Sequence, residues 1–256
     1  VMINGMNDNL DCWDPRLIEA LSKRFKLVLF DNRDVGRTDI SKKEYTMKLF
    51  AGDTAGLMNA LGISKAHILG ISMGGMIAQE LVLNYPQKVA KLVLCSTGSQ
   101  WCFSQEVSRI ILAVGQSSPE ELTKMILSLK VANDFPSDFL KQHPFAVICF
   151  TADFVKENPD LAKLLLQQGT KHPTSQEGFR HQYDAVLGFN TQSRLQQIKV
   201  PTLVLQGKKD RLVPPENGSI LAKAIPNAKL VYFEKSNHML AEEMEEVLKV
   251  ITEFLL

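Results

Sequence analysis

Short runs of Val, Leu and Ile recur along the chain with almost no polar residue alternating through them. They are KLVLF (26–30), HILG (67–70), KLVLC (91–95), TLVL (202–205) and KLVYF (229–233). Runs this short and this continuously apolar predict strands buried on both faces, the pattern of a parallel sheet. Between them the apolar positions change to a helical period. DPRLIEALSKRF opens with Asp14 as a cap and Pro15 in the first turn, TMKLFAGDTAGLMNALG closes on Gly62, and MGGMIAQELVLNYP stops at Pro86. LAEEMEEVLKVITEFLL (240–256) forms the last helix. Strand and helix alternating in this way predict an α/β fold: a mostly parallel sheet flanked by helices, with right-handed crossovers.

The alternation stops between about Gly98 and Leu195. That stretch carries helical patterns (EVSRIILAVG, SPEELTKMILSLK, NPDLAKLLLQQG) and no strand pattern. The expected organisation is therefore a core made of residues 1–97 and 195–256, with residues 98–194 as a helical insertion over the carboxyl edge of the sheet, where open α/β sheets bind ligands. There is no internal repeat and no low-complexity tract.

Composition narrows the function classes. The 256 residues are 45% hydrophobic and 22% charged, enough for one large domain with a proper core. Lys and Arg number 29 against 28 Asp and Glu, a net charge of +1. That balance gives no broad electrostatic footprint for nucleic acid or an anionic membrane, so the expected partner is a small, weakly charged molecule. Cys12, Cys95, Cys102 and Cys149 are scattered without a CxxC pair, which fits reduced core residues and a cytoplasmic setting better than a disulfide framework. No apolar run approaches the roughly 18 residues of a membrane span, and no signal peptide is visible. The chain begins at Val1 within a predicted strand, so residues preceding it are expected.

The candidate chemistry centres on HILGISMGGMIAQE (67–80). Gly70-Ile71-Ser72-Met73-Gly74 is a G-x-S-x-G pattern between a strand and a helix. A serine on so sharp a turn needs small residues two positions before and after it, because a β-carbon there would meet neighbouring backbone. A glycine-flanked serine at a tight turn is also a purely structural arrangement. The nucleotide-binding reading fails, because Gly75 is followed by Met76 and Ile77 instead of Lys and Ser/Thr, and no G-x-G-x-x-G fits.

A serine hydroxyl needs a general base, and the base needs a group to orient it. QGKKDRLVPP places Asp210 after the strand TLVL, and EKSNHMLAEE places His238 after the strand KLVYF. Ser72, Asp210 and His238 thus each follow a separate predicted strand, at one edge of the sheet.

In this order of Ser, Asp and His the chain resembles the α/β-hydrolase fold superfamily, over essentially its whole length. The insertion falls where that family has its cap, VMINGMNDN falls on its oxyanion strand and loop, and FDNRDVGRTD resembles its D-x-R-G-x-G-x-S loop. The resemblance implies that the backbone N–H groups of Met6 and Met73 form an oxyanion hole. Two residues depart from the pattern: Asn4 stands for the usual His before the oxyanion glycine, which is expected to alter support for that loop, and Asp34 stands for the usual Gly.

Other titratable residues have plainer readings. His67, His143, His172 and His181 suit packing or surface roles, Arg33 and Arg37 suit bracing of their own loop, and neither Asp31, Asp34 nor Glu234 has the position of Asp210. Without an HExxH pattern or a Cys and His cluster, no metal and no cofactor is expected. The expected function is serine hydrolysis of a small, apolar carboxylic ester or lactone through an acyl-enzyme. Alternatives are C–C bond hydrolysis or cofactor-free perhydrolysis with the same triad, and a weakly catalytic ligand receptor.

Overall fold

The structure is a computed structural model describing residues 1–41, 44–101, 103, 105–114 and 117–256. Five parallel strands form one sheet in the order β1 (Met2–Ile3), β2 (Ala66–Ile71), β3 (Val89–Cys95), β4 (Thr202–Gly207) and β5 (Ala228–Phe233). Four of the five predicted strands are present, each extended by a residue or two. KLVLF is the exception: it contributes only a bridge from Leu29 to Met2 and a hydrogen bond from Met2 N–H to the Val28 carbonyl. Its neighbour β1 is two residues long and offers it no longer ladder.

Both faces of the sheet are covered, as the apolar runs require. Ile68, Leu92, Leu94 and Val204 pack on one side with α2 (Met47–Ala60) and α3 (Met73–Asn84). Leu69, Val93, Leu203 and Leu205 alternate to the other side, against α1 (Pro15–Ser22) and the last helix, Met244–Leu255. Local chemistry sets the helix ends as expected. Asp14 accepts from the Arg16 N–H at the start of Pro15–Ser22, Thr46 accepts from Leu49 N–H to start α2, and Gly62 leaves α2 with a positive φ of 68°.

Between Cys95 and Thr202 the described residues contain helices and no strand; the single bridge there joins Gln100 to Asn190. Gln105–Val114, Pro119–Leu127 and Pro159–Gln167 match the three predicted helices, and shorter ones lie between. Gly115, where the first was expected to end, and Cys102 lie outside the described residues. Ile110, Ile126, Val147 and Phe154 form an apolar cluster separate from the two on the sheet. Among the described residues no helix is long and apolar enough to cross a membrane.

Among the described glycines, the closest backbone approaches lie at the turn from β2 into α3. A methyl group at Gly70 would overlap the Gly74 carbonyl, and one at Gly74 would overlap the Ile3 carbonyl and lie 2.6 Å from that of Asn4. Backbone on both sides leaves no flexible group to yield. Gly74→Ala should therefore cost at least about 1–3 kcal/mol in chemical denaturation. Gly56→Ala, on an exposed turn of α2 with open space around it, should be neutral or stabilise by up to about 1 kcal/mol. Equal stability of Gly74→Ala and the parent would contradict this packing.

Candidate active site

Ser72 occupies the corner between β2 and α3 with φ 54° and ψ −122°, a conformation L-residues rarely hold. The corner is over-determined by hydrogen bonds. Ser72 N–H donates to the Cys95 carbonyl at 2.9 Å, and the Ser72 carbonyl accepts from the Thr97 hydroxyl at 2.7 Å and from Gly75 N–H at 2.9 Å. The residue is buried from bulk solvent but lines a cavity of about 390 Å³.

His238 lines the same cavity. Its Nδ1 lies 3.0 and 3.2 Å from the two carboxylate oxygens of Asp210. Asp210 Oδ1 also accepts from the Leu212 and Val213 N–H groups at 3.0 and 2.9 Å, and Oδ2 from the Gln206 side-chain amide at 3.0 Å. The other partners of Asp210 are all donors, so it is placed as an acceptor and the Nδ1–H tautomer of His238 fits the contact. The pair is almost wholly buried, with side-chain exposures of 6% and 0%, where such contacts are little screened. Ser96 Oγ donates to the His238 carbonyl at 2.8 Å, and Asn237 Oδ1 accepts from His238 N–H at 2.9 Å.

Met6 lines the cavity, whereas the Met73 side chain is buried in the core and brings its backbone to the first position of α3. Asn4 does brace the loop after β1. Its Nδ2 donates to the Asn9 carbonyl at 2.6 Å, and the Asn4 carbonyl accepts from Asn32 Nδ2 at 3.2 Å. From the helical segment, Gln182 Oε1 accepts from Asn7 N–H at 2.8 Å, and Asn9 Nδ2 donates to the Gly169 and His172 carbonyls, each at 2.8 Å.

The remaining candidates sort by contact. Arg33 pairs with Asp53 and Arg37 with Asp11, so both brace their loop. His67 opens β2 away from the cavity, packed edge-on to Phe25. Of the apolar residues of the helical segment, Phe103, Phe145, Ile148 and Phe150 line the cavity, while Ile110, Ile126, Val147 and Phe154 pack among themselves. Cys12 and Cys149 also line it, but burial and nearby carboxylates push the Cys12 thiol well above its ordinary range and Cys149 up to about 12. Neither supplies a thiolate near neutral pH. Among the described residues no group of His, Cys, Asp and Glu could hold a metal ion.

Two contacts were not foreseen. Asp34, at φ 63° with a fully buried side chain, accepts from His181 Nδ1 at 2.7 Å and from Ser41 N–H at 3.2 Å, and the His181 ring packs 4.6 Å from that of Tyr45. Asp8, in the loop after Gly5, lines the cavity beside Ser72 and His238. The only signal for Asp8 was an acid in a loop whose chemistry resemblance assigned to backbone; nothing local aimed it at the serine.

His181→Leu would remove the closest donor recorded on the buried Asp34 carboxylate and should destabilise by about 1–3 kcal/mol. Asp34→Gly removes the charge and relaxes the positive φ, so it should cost less. Denaturation midpoints of both variants test the order, and His181→Leu as stable as the parent would contradict it.

A family model described as alpha/beta hydrolase fold matches residues 1–244. The poly(3-hydroxyalkanoate) depolymerase of Ectopseudomonas oleovorans is 29% identical over 256 residues, covering 100% of this chain and 83% of that one. A protein of Azorhizobium caulinodans named for carbamate hydrolysis is 27% identical over 242 residues, 91% of this chain and 82% of its own. Among solved structures, the enol-lactonase of Burkholderia xenovorans superposes with a TM-score of 0.81 at 26% identity, covering 99% of this chain and 89% of that one. Strand order, corner serine and family match converge: the chain belongs to the alpha/beta hydrolase fold family and is a hydrolase.

Proposed function

We propose that the protein hydrolyses a small, largely neutral carboxylic ester or lactone with Ser72 as nucleophile, His238 as general base and Asp210 as its orienting acid. The carrying observation is the buried His238–Asp210 hydrogen bond opening onto the cavity that Ser72 lines. His238 Nε2 takes the Ser72 proton as Oγ bonds to the substrate carbonyl carbon, and Asp210 stabilises the imidazolium. The N–H groups of Met6 and Met73 receive the oxyanion, the second of them at a helix N-terminus where negative charge is favoured. Collapse expels the alcohol with the proton from His238. Water, deprotonated by the same imidazole, then releases the acid and restores Ser72.

Residues 98–194 act as the cap in this reading. They supply more than half of the residues that line the cavity, and most of those they supply are apolar, which favours an uncharged acyl or alcohol group. The relatives' names support the same chemistry, since a hydroxyalkanoate ester, an enol-lactone and a carbamate all present a carbonyl carbon with a heteroatom leaving group.

A fluorophosphonate should add one label per chain by intact mass, and Ser72→Ala should take none while remaining folded. On any ester turned over, Ser72→Ala should lower kcat by at least about 10³-fold and Asp210→Asn by about 10⁴-fold. Near-parent turnover by Ser72→Ala would overturn the assignment.

A further inference from the structure

Asp8 is the one carboxylate side chain among the described residues that line the cavity, and no Lys or Arg lines it with them. Its place is set by close packing. A methyl group at Gly5 would stand 3.1 Å from Asp8 Oδ2 and 3.3 Å from Ser72 Cβ, so the carboxyl group and the serine both lie close to Gly5. The loop is tied down on both flanks, by Asn4 to Asn9 on the core side and by Asn7 to Gln182 on the helical side. Around this polar point the wall is apolar, with Ile71, Ile111, Ile148, Phe150 and Phe179.

Burial holds the Asp8 carboxyl up at about 6, with the His238 imidazole drawing it the other way and the Cys12 thiol as its hydrogen-bonding neighbour. Near pH 7.5 it is therefore mostly the anion. An anion there can accept a hydrogen bond from a group that enters the cavity, and it repels further negative charge brought in beside it. A substrate gains from the first by supplying a donor and loses from the second by carrying a carboxylate.

We propose that Asp8 is a specificity residue that selects esters carrying a hydrogen-bond donor, a hydroxyl or an ammonium, near the reacting carbonyl and rejects esters carrying a carboxylate. This deepens the ester-hydrolase reading above and rests on it. The Asp8 carboxylate accepts the donor's hydrogen and anchors that side of the substrate, while Ser72 attacks the carbonyl beside it. Asp8 takes no proton in the reaction.

The test compares kcat/KM within matched pairs at pH 7.5, using the full chain. Methyl 3-hydroxybutanoate is set against methyl 3-methylbutanoate for a donor on the acyl side, and 2-hydroxyethyl butanoate against propyl butanoate for a donor on the alcohol side. Methyl 3-aminobutanoate distinguishes ammonium from hydroxyl, and monomethyl succinate reports repulsion. At least one donor-bearing ester should exceed its apolar match by about tenfold or more, and monomethyl succinate should fall below methyl 3-methylbutanoate. Asp8→Leu should abolish the donor preference, and Asp8→Asn, which keeps an acceptor oxygen but no charge, should retain part of it while raising the relative rate on monomethyl succinate. Parity across every pair in the parent enzyme, or preferences unchanged in Asp8→Leu, would overturn the role of Asp8 and leave the ester-hydrolase reading standing. No hydrolysis of any ester by a parent enzyme that also takes no fluorophosphonate label would overturn that reading and the proposal with it.

Discussion

The near-contact between Gly74 and the carbonyls of Ile3 and Asn4 is the constraint from which the site is built. It lets α3 start directly beneath the end of β1, and Gly70 lets the same helix turn back onto β2. Ser72 is left at the corner with a positive φ that its own carbonyl and N–H contacts hold in place. The same approach brings Gly5, in the loop after β1, against the serine. Strain at Ser72 and absence of side chains at Gly70 and Gly74 are one feature seen from two sides.

Much of this was legible in the chain because parallel strands buried on both faces are written as unbroken apolar runs. The residues that follow them are then placed at one edge by topology alone, which is why Ser72, Asp210 and His238 could be proposed from order and spacing. KLVLF shows the limit of that signal, because an apolar run states what a segment will bury and not how long a neighbour it will find. Asp34 shows another. Its departure from the glycine of similar loops is visible in the sequence, but its partner His181 lies 147 positions away, and no local pattern joins a loop acid to a helix histidine. Asp8 was hidden for the same reason, since its place in the cavity beside Ser72 depends on the fold and not on its sequence neighbours.

The helical segment does more than wall the cavity. Asn237 Nδ2 donates to the Phe150 carbonyl at 2.7 Å, Arg211 Nη1 to the Val147 carbonyl at 3.1 Å, and Met239 N–H to the Cys149 carbonyl at 3.3 Å. The loops carrying Asp210 and His238 are therefore tied to the stretch 147–150, just as the loop carrying Met6 is tied to Gln182, Gly169 and His172. A side chain attached at both ends in this way loses little further freedom when substrate arrives. Positioning of the loops that carry Met6, Asp210 and His238 is thus shared between the sheet and the helical segment.

The electrostatics of the cavity follow from which groups are paired there. Asp210 meets donors on both oxygens and serves His238, whereas Asp8 has the cavity on one side and a thiol as its neighbour. The surroundings of the two carboxylates thus differ: Asp210 is held by donors on both oxygens, and in the reading proposed above Asp8 offers its acceptor capacity to a group that enters the cavity. An apolar replacement at Asp8 would leave a better-packed cavity and a less discriminating one.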